Sequence, residues 1–147
     1  MPDVVPPESP EVGALLRRAD DGRKLAKLFA GTQLAPEPGE ALTYGSGHAA
    51  LRWGYLNLAG VYGWLWLTNH RLVFRSRHPF GPKVVMAWPL EAIALAEPAL
   101  NLGIIPSRLL IALHNGERVI LDVGPFPFGR RRSWVRAIDL AKDQAKS

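Results

Sequence analysis

The residues best suited to binding chemistry are arginines. Arg130, Arg131 and Arg132 stand in a row, just before or at the start of the last amphipathic segment. A helix N-terminus attracts anions through its free amides and its dipole. Three adjacent cations sharpen that preference towards phosphate or acidic lipid, at about 1 kcal/mol per cation beside an anionic bilayer. The competing reading is a surface charge run, because cations at a helix start oppose the dipole. A second set, Arg71, Arg75, Arg77 and Lys83, clusters with His78 around one hairpin and the loop after it. Alternation puts Arg71 and Arg75 on one strand face, where two guanidinium forks would suit an anion. The competing reading is a solvated face that keeps the sheet in water.

Other chemistries lack their residues. The chain has no cysteine, so disulfides, thiolate nucleophiles and cysteine-held metals are excluded. His48, His70, His78 and His114 have no second histidine or carboxylate at a spacing such as HExxH. There is no Gly-x-Ser-x-Gly elbow, P-loop or dinucleotide fingerprint. His114 and Asp122 can be drawn as an acid/base pair across a hairpin, but with no nucleophile to serve. The expectation is a chain with no catalytic residue, metal or cofactor, and an enzyme ranks last among the readings.

Apolar side chains offer a second kind of site. Tyr55, Leu56, Leu58, Val61 and Tyr62 fall in one uncharged stretch that could dock on a membrane or a partner, since contiguous exposed apolar surface marks interaction sites. Alternatively they extend strands and fill a barrel mouth. Trp64 and Trp66 share the strand face opposite Leu65 and Leu67. Together with Trp88 they form either a recognition surface or packing, with the N-terminal helix as a lid or a second copy of the chain as cover.

The elements that must position these residues follow from period and punctuation. The chain has 147 residues, 48% hydrophobic and 21% charged, with a net charge of +5. That suits one domain with its own core. Cations are spread along the chain, so nucleic acid is not the expected partner. The opening MPDVVPPESPE has no secretory pattern, and residues 1–9 read as disordered. Ser9-Pro10 starts a helix over about 10–30, followed by a proline-rich linker to 37. From Ala41 the period becomes 2. Strands are expected within Leu42–Trp53, at 64–68 and 71–75 joined by a tight turn, at 84–88, around Ile93 and Leu95, and at 109–113 and 119–123 joined by Asn115-Gly116. Residues 98–107 read as an apolar loop. The stretch Trp53–Asn69 reads as two strands and a loop rather than a membrane span. A helix from about 131 or 133 to 145, with Ser133 as cap, buries Trp134, Val135, Ile138, Ala141 and Ala145. Such a meander hides its edges by curling.

The run Gly63–Ser76, GWLWLTNHRLVFRS, resembles the core of GRAM domains and related bacterial pleckstrin-homology-like proteins. Pro38-Gly39-Glu40 is similar to the Pro-Gly-Glu that opens their first strand, and Trp88-Pro89-Leu90-Glu91-Ala92-Ile93 to their Pro-Leu-x-x-Ile turn. The resemblance covers about 38–145. It implies a mainly β fold, a seven-stranded antiparallel barrel of two near-orthogonal sheets capped by a C-terminal helix, here with an extra N-terminal helix. It also implies a non-enzymatic adaptor. The loop between the first two strands, within Gly54–Tyr62, has no basic residue, and Arg52 is its one nearby cation. That departs from the usual inositol-phosphate site. The expected function is therefore protein–protein interaction, with peripheral binding to anionic lipid second. The expected setting is the cytoplasm or the inner membrane face, with a homodimer as one arrangement.

Overall fold

The structure, a computed structural model, describes residues 22–53, 59–77, 85–124 and 129–146. The chain divides into two compact units, Met1–Leu42 and Thr43–Ser147. In the first, residues 22–29 form a helix, α1. Leu25 and Phe29, four apart on one helix face, are buried. Thr32 closes the helix end, its hydroxyl donating to the Phe29 carbonyl at 2.7 Å. Glu37-Pro38-Gly39-Glu40 is a tight turn, with the Glu40 amide bonded to the Glu37 carbonyl at 3.0 Å and Gly39 at φ 76°. Proline then glycine at the centre is the pattern of a type II turn. The expected helix start at Ser9 and the disordered residues 1–9 lie outside the described residues.

The second unit is a seven-stranded antiparallel meander followed by a helix. The strands are β1 (Leu42–Trp53), β2 (Ala59–Thr68), β3 (Arg71–Ser76), β4 (Val85–Pro89), β5 (Ile93–Asn101), β6 (Ile105–Leu113) and β7 (Arg118–Asp122). The helix α2 spans Arg130–Lys146. Strand order is β4-β3-β2-β1-β7-β6-β5, so β4 and β5 are the edges. Seven strands laid flat at normal spacing would span about 29 Å. Yet one hydrophobic cluster takes residues from all seven: Leu51, Leu65, Phe74, Trp88, Ile93, Ile111 and Leu121 among them. The sheet must therefore curl around that core. Trp134, Ile138 and Ala141 of α2 join the same cluster, at the three-and-four spacing of one helix face. Ala145 is exposed instead. Among the described residues, no helix is long and apolar enough to cross a membrane.

The β2–β3 hairpin shows how local chemistry sets register. Leu65 pairs with Phe74 and Leu67 with Leu72, all inward, while Trp66 pairs with Val73 on the other face. Thr68 is fully buried at the turn. Its hydroxyl oxygen accepts from the amides of His70 and Arg71, both at 3.0 Å, and donates to the Arg71 carbonyl at 3.2 Å. Gly63 lets β3 come close: a Cβ there would strike the Arg75 carbonyl oxygen and lie 2.8 Å from the Ser76 Cα.

Two sequence expectations are corrected. Residues 98–107 are not a loop. β5 runs on to Asn101 and β6 begins at Ile105, with Pro98 paired to Leu109. Proline normally breaks a strand, but an edge strand leaves one side of its backbone without a ladder partner. The connection shrinks to three residues, 102–104, with the Ile104 amide on the Asn101 carbonyl at 3.1 Å. Leu102 (φ 51°) and Gly103 (φ 78°) are both left-handed, the pattern of a type I′ turn. Leucine there costs about 1–2 kcal/mol relative to a residue suited to it. The β6–β7 hairpin shows the usual solution, with Gly116 taking the positive φ. Second, Ser133 does not cap α2. The helix starts three residues earlier, and both the Ser133 amide and its hydroxyl donate to the Gly129 carbonyl, at 2.9 and 3.2 Å.

Candidate functional site

Because Ala49 and Leu51 face the core, their neighbours His48, Ala50 and Arg52 face outward. β7 lies beside β1 with Asp122 opposite Ala50. β2 brings Tyr62, and Arg77 follows β3 with its amide bonded to the Tyr62 carbonyl at 2.7 Å. The first residue of α2, Arg130, completes the ring. These side chains line a groove of about 550 Å³.

Among the described residues, three guanidinium groups and one carboxylate share this groove. Arg52 reaches Asp122 at 3.9 Å, with little of either side chain exposed. It also donates to the Tyr62 hydroxyl at 3.4 Å, with its guanidinium 5.3 Å from the centre of that ring. Arg130 donates to the His48 carbonyl at 3.3 Å. Its guanidinium lies over Gly47, where a Cβ would strike Nη2, so glycine opens the path this side chain takes. His48 stacks on Trp64 with centroids 4.0 Å apart. One carboxylate against three cations leaves a positive field, which draws and orients anions.

The arginine row is split among three fates. Arg130 enters the groove. Arg131 donates to the Ala99 carbonyl of β5 at 2.7 Å, and Arg132 is exposed. The hairpin set divides too. Arg77 joins the groove, Arg75 is half-buried opposite Trp64, and Arg71 is buried opposite Pro89. On the face expected to form an anion site or a solvated surface, Arg71 is buried and Arg75 partly exposed. Lys83, Tyr55, Leu56 and Leu58 lie outside the described residues. Val61 packs on the core and Trp66 is fully buried, so neither offers an exposed surface. Tyr62 is 69% exposed. Trp64 stacks on His48, which lines the groove, and Trp88 belongs to the core. The pair drawn from His114 and Asp122 does not form. Asp122 pairs in register with Arg108, while His114 sits in the turn at the far end of that ladder.

Sequence reading missed His48 and Asp122 and treated Arg52 as a lone cation. The usable signal was alternation: once Ala49 and Leu51 are inward, 48, 50 and 52 are outward together. That β7 delivers a carboxylate beside Arg52 needs the strand order, which no local pattern supplies.

No family model matches the chain, and no curated protein does either. Solved structures do match. The C-terminal domain of an unknown protein from Leishmania infantum aligns with TM-score 0.56 and 15% identity, over 88% of this chain and 97% of that one. The linker-DH/PH domains of p115-RhoGEF align with TM-score 0.60 and 14% identity, over 91% of this chain and 41% of that one. The Slm1-PH domain in complex with phosphoserine aligns with TM-score 0.50 and 16% identity, over 67% and 93%. Identities this low speak to fold alone, and with the meander and its capping helix they agree: the chain has a pleckstrin-homology-like fold.

Proposed function

We propose that this chain is a non-catalytic, GRAM/pleckstrin-homology-like binding module that holds a phosphate-bearing ligand in the outer groove. The observation that carries this is the convergence of Arg52, Arg77 and Arg130, from three separate parts of the chain, on one groove of about 550 Å³. Guanidinium groups match phosphate oxygens in pairs and keep their charge at any physiological pH. The groove's cations suit holding an anion. Slm1-PH, whose fold is similar, has been solved in complex with phosphoserine and with D-myo-inositol-4-phosphate, which supports this reading. Protein docking is the second reading, favoured by Trp53 and Tyr62 at 48% and 69% exposure.

The test is calorimetric titration of the full chain with phosphoserine, inositol 4-phosphate and inorganic phosphate at low and near-physiological salt. Saturable binding that weakens with salt, and falls about a hundredfold in Arg77→Ala/Arg130→Ala, supports the reading, at about one decade per charge-assisted bond. No saturable binding to any of the three, or binding indifferent to that double substitution, overturns it.

A further inference from the structure

We infer that the β5–β6 hairpin tip is a wedge that inserts into the interface of an anionic bilayer. From Pro98 to Ser107 the chain carries no charge (PALNLGIIPS). At the tip, Leu100, Leu102, Ile104 and Ile105 are 46%, 57%, 77% and 37% exposed. Four large aliphatic side chains in water within six residues form a patch, not scattered surface leucines.

The turn itself points the same way. A type I′ turn favours asparagine or glycine at its first central position, yet Leu102 holds φ 51° there. Its side chain gains no core packing in return. Backbone strain kept at an exposed site signals a role for the side chain that bears it.

The occupant follows from shape and chemistry. The tip is a hairpin turn whose exposed large side chains are all aliphatic, without the tryptophan, tyrosine or arginine that anchors protein partners. A protein-binding tip needs a matching pocket, whereas a fluid acyl layer needs none. Cations stand where headgroups would lie. Arg131 is bonded to the Ala99 carbonyl, one residue before Leu100, and Arg132, next in the chain, is exposed. Ala99 also falls in the register row of Arg108, Asp122 and Ala50, so tip and groove occupy the same end of the sheet. Apolar insertion flanked by basic residues is the combination that holds proteins at anionic surfaces. The inference goes beyond the phosphate-groove reading and does not depend on it.

The experiment is co-sedimentation of the full chain with phosphatidylcholine vesicles, with and without phosphatidylserine. The test variant is Leu102→Asn/Ile104→Ser, which keeps the turn because asparagine accepts positive φ. Wild type binds the phosphatidylserine vesicles, and the variant loses at least about tenfold in partitioning while its melting temperature holds or rises. Because the chain has no cysteine, Ile104→Cys carries a single environment-sensitive dye. That dye shifts to the blue on these vesicles, and the same dye at Glu117→Cys in the other hairpin does not. Wild type binding neither vesicle, the variant binding like wild type, or an unshifted dye at position 104 each overturns the inference. Failure of the groove is read separately, in the soluble titrations.

Discussion

Replacing Gly47 with alanine tests the groove without removing any charge from it. The new methyl would fall on Nη2 of Arg130 and 3.7 Å from Cζ2 of Trp134. The obstructing atom is the end of a flexible side chain, so the strand stays and Arg130 swings out. The lost bond to the His48 carbonyl is long at 3.3 Å and partly exposed. It is worth about 1 kcal/mol. Alanine recovers roughly 0.5 kcal/mol by restricting the unfolded chain, since Gly47 is not left-handed. Net destabilisation is then about 0.5 kcal/mol, a melting shift of about 1–2 °C. Ligand affinity should fall further, by about tenfold, the ~1.4 kcal/mol of one charge-assisted bond. Titration of phosphoserine into wild type, Gly47→Ala, Arg130→Ala and the double variant separates the terms. If both changes act through one guanidinium, the double variant is no worse than Arg130→Ala alone. Wild-type affinity in Gly47→Ala, or losses that multiply in the double variant, would refute the placement of Arg130.

Two further outcomes follow. Asp122→Asn removes the one carboxylate that lines the groove among the described residues, so phosphate ligands should bind about threefold to tenfold tighter at low salt, with the gain shrinking as salt rises. Thr68→Val keeps shape but removes the hydroxyl to which the part-buried His70 amide and the buried Arg71 amide donate. That should cost about 2–3 kcal/mol by urea unfolding, with the m-value unchanged; a loss below about 0.5 kcal/mol would show that the turn does not rely on this hydroxyl.

The meander was legible because its signals are local. Leu65, Leu67, Leu72 and Phe74 alternate, Thr68-Asn69 and Asn115-Gly116 mark turns, and each pattern needs only a few neighbouring residues. The β5–β6 hairpin was not, because Pro98 reads as a breaker until β5 is known to be an edge. The groove was legible in its types but not its membership. Arg71 and Arg77 look equivalent in sequence, yet one is buried in mid-hairpin and the other reaches the groove from the strand's end. Asp122 and Arg52 are seventy positions apart and meet because β7 lies against β1.

The edges of this sheet are guarded. β4 ends in Pro89 and β5 carries Pro98 in mid-strand. On β5, the carbonyls of Ala94 and Ala99 accept from Lys142 and Arg131 of α2, at 3.0 and 2.7 Å. A peptide seeking to extend the sheet beside β5 meets an imide without a donor and two carbonyls already occupied by cations. Strand addition, a common way for a small β domain to capture an extended partner, is thereby obstructed on that side. The same guard hinders one copy from templating another along β5, and steers contacts on that side towards side chains.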